Sequence, residues 1–154
     1  MMRTAILAAL MAVATGPLAG AQEHLTVTPM PGTWKVVTKT TRNDTAMPDK
    51  TESICYSAAD FADVVGRLGT LFTNQQCSRT HAISGSTLTF GAVCTGPAPQ
   101  GTLQVKAEGS YVFADEKHFT GSIVSTFVVP SQPTTTFSVA KSAEYVGPCP
   151  PPGQ

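Results

Sequence analysis

Residues 77–94 read CSRTHAISGSTLTFGAVC, and the way this stretch turns back on itself decides the fold. Ser84-Gly85-Ser86 is a glycine-bearing three-residue connection between two runs, Cys77–Ile83 and Thr87–Cys94, the arrangement of a β-hairpin. In the second run Leu88, Phe90, Ala92 and Cys94 alternate with Thr87, Thr89, Gly91 and Val93. That two-residue period belongs to a strand with one buried face.

The same period continues downstream. Thr95–Gly101 (TGPAPQG) reads as a turn whose prolines exclude both helix and central strand. Leu103, Val105 and Ala107 then share a face, and Gly109, Tyr111 and Phe113 extend it. Asp115-Glu116-Lys117 is a solvated connection. Phe119, Ile123 and Phe127 follow on one face, with Val124 and Val128 on the other. After Pro130–Pro133 a last strand starts at Phe137 and Val139 and reaches Tyr145 and Val146.

Upstream, Thr33–Thr41 is rich in β-branched residues, with Trp34, Val36 and Thr38 on one face. Arg42–Asp49 (RNDTAMPD) reads as a turn or mobile loop, and Lys50–Tyr56 as a returning strand. Ser57 opens the one helical signal: it can cap a short helix, with Asp60 near the positive end and Phe61, Val64, Val65 and Leu68 along one side before Gly69. The expected fold is mainly β: an antiparallel meander forming a sheet, sandwich or barrel-like domain with one short helix.

The N-terminus carries a separate message. Residues 1–21, MMRTAILAALMAVATGPLAGA, have the form of a signal peptide, with Arg3, an apolar core from Ala5 to Val13, a break at Gly16-Pro17, and Ala19-Gly20-Ala21 before the expected cut. The core is shorter than the ~20 residues of a spanning helix. Residues 22–31 are a polar lead-in, 32–149 a single disulfide-stapled β domain, and 150–154 a tail. The expected location is the periplasm, or the exterior, after signal removal.

Loss of Arg3 leaves nine basic residues against ten acidic ones. Such a chain has no basic footprint for nucleic acid and no polybasic run for anionic lipid. Its four cysteines, Cys55, Cys77, Cys94 and Cys149, all lie in the exported part. They allow three pairings, among which the sequence does not choose. Zinc spacing is absent, and neither a metal nor a cofactor is expected.

The landmarks PGTWKV, SICYS, NQQCSRT, LTFGAVCTG, GSYVF, HFTGSIVSTF and EYVGPCP together resemble the domain of unknown function 3617 family, small exported proteins mainly of Gram-negative bacteria, over roughly Pro29–Cys149. By position, Pro31, Gly32 and Trp34 match its opening motif, Cys55, Cys77 and Cys94 its internal cysteines, and Gly147 and Cys149 its closing motif. Two departures stand out. Only Ala46-Met47-Pro48 remains of a methionine- and proline-rich stretch, and Val146 stands where arginine or lysine is frequent. The resemblance implies no catalytic residue.

Chemistry is correspondingly sparse. No serine sits in a Gly-x-Ser-x-Gly setting, and phosphate-cradling glycine loops and HExxH spacing are absent. Asp60 with Asp63 is explained by helix capping and solubility, and Asp44 with Asp49 lacks the dense oxygen-ligand spacing of a dedicated calcium loop. The leading expectation is a non-enzymatic periplasmic domain that binds something or supports the cell envelope, with carriage of a small apolar ligand as its sharper version. Trp34, Tyr111, Phe119, Phe127 and Phe137 are its candidate lining, but core packing is the favoured role. Trp34 reads as the anchor of the first strand with its indole N–H partnered at the rim, and the other four as core. A carrier requires a pocket of at least ~300 Å³ with a few polar groups at its mouth. One alternative is an interaction module that meets an envelope protein by an edge strand or the 42–49 loop. Another is a small hydrolase or isomerase using His81 or His118, an acid–base site that requires the fold to bring His81, His118 and Asp115 together.

Overall fold

The computed structural model describes residues 24–63 and 76–151. The signal peptide and the Val64, Val65, Leu68 and Gly69 part of the helical expectation lie outside these residues. The elements are β1 (Gly32–Arg42), β2 (Thr45–Ala46), β3 (Lys50–Tyr56), α1 (Ala58–Ala62), β4 (Gln76–Ser84), β5 (Thr87–Ala98), β6 (Gly101–Asp115), β7 (His118–Val128) and β8 (Thr135–Gly147). All strands join one antiparallel sheet in the order β2-β1-β8-β7-β6-β5-β4, with β3 beside β2 on the outer edge of β1. It is an open meander, not a closed barrel.

The hairpin that decides the fold is tighter than its composition suggests. Ser84 pairs with Thr87, leaving a two-residue connection instead of three. Gly85 has φ +59° and Ser86 is not left-handed. This is the II′ pattern, which places glycine first because an L side chain strains there. Arg42–Asp49 is likewise ordered. Asn43 and Asp44 have φ of 46° and 63°, the type I′ pattern, and Asn43 Oδ1 accepts the Thr136 N–H at 2.8 Å. The expected break at Pro97 does not occur: β5 runs through it, and Pro97 pairs with Thr102 of β6. The described pairing of β5 with β4 stops at Thr95, so Pro97 removes no donor from that ladder.

Ser57 and Asp60 form a reciprocal capping box. The Asp60 N–H donates to Ser57 Oγ at 3.2 Å, and the Ser57 N–H donates to Asp60 Oδ2 at 2.7 Å. The helix closes at Asp63 after five residues. Packing therefore holds it in place, through Phe61 against the core.

One apolar cluster takes members from both margins of the sheet, Tyr56 of β3 and Ile83 of β4, together with Trp34, Leu88, Phe90, Tyr111, Phe113, Phe119 and Ile123. The sheet therefore curls around this core. The faces read from the sequence hold: Phe119 and Ile123 are buried, whereas Val124 and Val128 are exposed.

Glycine makes room for the rings. Gly121 pairs with Tyr111 across β6 and β7, and a Cβ at Gly121 would lie 2.5 Å from Tyr111 Cε1. The Tyr111 ring is itself buried and stacked on Phe90 at 5.5 Å between centroids, so it has nowhere to retreat. Aromatic rings lying over strand glycines are a known device of sheet packing. Gly121→Ala is expected to destabilise the fold by about 1–3 kcal/mol through overpacking, read as a lower urea midpoint. A midpoint matching the parent protein would show that the ring can yield.

Candidate functional site

Three of the five aromatics proposed as lining are packed solid. Trp34 is fully buried, and Tyr111 and Phe119 are each 2% exposed. The Trp34 ring lies 5.3 Å from Phe119, 5.7 Å from Phe61 and 6.0 Å from Tyr145. Its indole N–H donates to the Met30 carbonyl at 3.0 Å, so the polar end of a buried tryptophan is satisfied. Burial, and secondarily the neighbouring Tyr56, push the Tyr111 hydroxyl up to about 12. Phe127 and Phe137 sit apart from these three, half-buried, with their rings edge-on at 5.6 Å and Arg42 over Phe137.

The open space lies elsewhere, beside the segment read as a polar lead-in. Residues 24–31 form a strap. The Thr26 N–H donates to the Gly85 carbonyl at 3.0 Å, and the Met30 N–H donates to the Glu116 carbonyl at 2.8 Å. The strap thus crosses the β4–β5 and β6–β7 turns before the chain enters β1. Leu25 and Val27 pack against the core cluster, and Pro29 is buried. Between strap and helix is a cleft of about 340 Å³ lined by Leu25, Val27, Pro29, Pro31 and Phe61, with Ala58 and Ala62 on the helix side and His24 and Thr28 as polar edges. Phe61 connects this cleft to the core, since it touches both Trp34 and Tyr56. The residues expected to line a pocket do not line this one. Its walls carry only a faint signal in the sequence, because the two-residue spacing of Leu25, Val27 and Pro29 is short and runs into proline.

On the other side of the strap is a wider, polar hollow of about 620 Å³, lined by Thr26, Val27 and Thr28 and by residues 114–118. Here the Lys117 N–H donates to Asp115 Oδ1 at 2.7 Å, and His118 Nδ1 lies 2.9 Å from each Asp115 carboxylate oxygen. The Lys117 backbone donor, then His118, holds the Asp115 carboxyl below its ordinary range.

Comparison with known proteins decides the family. A family described as protein of unknown function (DUF3617) matches residues 29–149. The chain belongs to the DUF3617 family. No curated protein matches it. No solved structure matches it either.

In this DUF3617 chain the opening landmark Pro31-Gly32-x-Trp34 is the joint between strap and β1. The cysteine landmarks are bridged as Cys55–Cys149 and Cys77–Cys94, not as neighbours in order. Cys77 and Cys94 are register partners on β4 and β5, whereas Cys55–Cys149 ties the end of β3 to the segment after β8. The histidines do not converge. His81 pairs with Phe90 on the core-facing side of β4, while His118 alternates with buried Phe119 and points to the opposite face. Asp115 and His118 do meet, as a turn-stabilising pair exposed to solvent. Among the described residues no group of three or more His, Cys, Asp or Glu side chains could hold a metal ion, and no helix is long and apolar enough to cross a membrane.

Proposed function

We propose that this DUF3617 domain is an exported, non-enzymatic binding domain that takes a small, uncharged apolar ligand in the cleft between the strap and α1. The observation that carries this reading is the cleft itself. Its volume of about 340 Å³ and its apolar walls fall at the lower end of small-molecule sites. Among the described residues no carboxylate, ammonium or guanidinium lines it, so a charged group placed there would lose hydration without a partner among them. The leader-like residues 1–21 and the two disulfides support export to an oxidising compartment.

The test uses the neutral probe N-phenyl-1-naphthylamine with the mature chain. Trp34 is the only tryptophan, and it lies one ring away from the cleft through Phe61. Saturable binding with energy transfer from Trp34 is the expected result. Ala62→Phe, a substitution of an exposed helix residue at the cleft wall, is expected to weaken binding about tenfold or more, or about 1.4 kcal/mol. As a surface change it should move stability by no more than about 0.5 kcal/mol. Absence of saturable binding, or equal affinity in the variant, overturns the proposal.

A further inference from the structure

We infer that the Asp115–His118 turn is a latch for the strap, making Asp115 a positioning residue for the apolar cleft. The inference deepens the binding proposal and rests on it for its functional consequence, but the latch itself stands on separate observations.

The first is a continuous chain of hydrogen bonds. Asp115 gathers the Lys117 N–H and the His118 ring, and so shapes the turn. Within that turn the Glu116 carbonyl accepts the strap's Met30 N–H at 2.8 Å, and the Lys117 carbonyl accepts the Tyr145 N–H at 2.9 Å. The Met30 carbonyl in turn accepts the Trp34 indole at 3.0 Å. The peptide groups flanking Met30 therefore join the turn to the buried core.

The second observation is space. The hollow of about 620 Å³ between the strap and residues 114–118 means that the strap is pinned to this turn at a point, not packed along it. Val27 and Thr28 line both this hollow and the apolar cleft. Displacement of those two residues changes the cleft wall directly.

The third is the electrostatic setting of the turn. Across the outer face, Lys35 of β1 pairs with Glu144 of β8, Glu144 with His118 of β7, and His118 with Asp115 of β6. Signs alternate along this row when His118 is protonated, and Glu116 and Lys117 complete the charged groups of the turn. Thr26, Val27 and Thr28 of the strap add no charge. Ionised Asp115 is thus the acceptor on which the turn closes. Its folded affinity for a proton is depressed, so its contribution is full above the ordinary aspartate range of about pH 4 and is lost as pH falls through the lower folded value.

Amide hydrogen exchange on the full mature chain tests the latch without any ligand. Asp115→Ala is expected to reduce protection of the Thr26 and Met30 amides about tenfold or more, while central-strand amides such as Val36 and Ile123 keep theirs, the signature of local opening. Asp115→Asn retains a carbonyl acceptor for the Lys117 N–H but cannot titrate. Its strap protection should therefore be intermediate and flat with pH, whereas the parent's falls only below about pH 4. Unchanged strap protection in Asp115→Ala overturns the latch, as does equal loss across all strands. Probe binding is then compared. A loosened strap with altered probe affinity supports both proposals. A loosened strap in a protein that never bound the probe upholds the latch and removes the ligand.

Discussion

Trp34→Ala is expected to cost about 4 kcal/mol of unfolding free energy, the upper range for emptying a buried aromatic site. No water reaches the ring in the native protein, and three aromatic neighbours from three other elements, α1, β7 and β8, close on it within 6.0 Å. Because each neighbour is fixed by its own backbone, the void cannot collapse. The substitution also strips the Met30 carbonyl of its indole donor, loosening the strap where it joins β1. Trp34→Phe separates these contributions: it keeps much of the apolar volume and loses the hydrogen bond, so a smaller loss of about 1–2 kcal/mol is expected. Urea unfolding followed by far-ultraviolet circular dichroism measures both. A loss under about 1 kcal/mol for the alanine variant would place Trp34 outside the stabilising core.

The two disulfides are expected to be unequal. Cys55–Cys149 spans a sequence separation of 94 residues and Cys77–Cys94 one of 17. By loop-closure entropy, removal of the long bridge as Cys55→Ser with Cys149→Ser should cost about 5 kcal/mol, and removal of the short one as Cys77→Ser with Cys94→Ser about 3. Structure widens the contrast. The short bridge joins register partners already held by the β4–β5 hairpin. The long bridge ties the end of β3 to the segment that follows β8, the two strands that flank β1, since Gly32–Thr38 pairs with β3 on one side and β1 pairs with β8 on the other. Without it the Trp34 end of β1 loses a clamp. A pair of urea curves checks the order, and a larger loss from the Cys77–Cys94 deletion would refute it.

How much of this was legible in the residues depends on the range of the interaction. Faces were readable because strand alternation is local: Leu88, Phe90, Ala92 and Cys94 are all buried, and Thr89 and Val93 between them are exposed. The run from β4 to β8 was readable for the same reason, since each strand pairs with the next. Pairing of β1 with β8 was not, because nothing local in TWKVV specifies a partner more than a hundred residues away. The Cys55–Cys149 pairing follows from that contact and is hidden with it, whereas Cys77 and Cys94 become partners only in the exact register of the β4–β5 hairpin. Composition also misled in two places. Proline in TGPAPQG ends a central strand only where its missing N–H is needed, and at Pro97 it is not. The strap reads as a polar lead-in because Leu25 and Val27 carry no long pattern. Its fixed position comes from carbonyls of Gly85 and Glu116, which no scan of residues 24–31 reveals. At the candidate site, Trp34, Tyr111 and Phe119 fill the interior, the role that their strand alternation favours, and the cleft is walled by the strap and Phe61, which meet only through long-range packing.

The placement of β1 between β3 and β8 sets a timetable for assembly. Thr33 Oγ1 donates to the Pro148 carbonyl across 115 residues of chain, so the earliest strand to emerge is among the last to be completed. A polypeptide delivered N-terminus first carries β1 paired on one side only, with β3, until β8 arrives. Contacts of such long sequence separation form slowly. A truncation that removes β8 should therefore hold the nascent chain in an unfinished, adhesive form instead of yielding a smaller working copy.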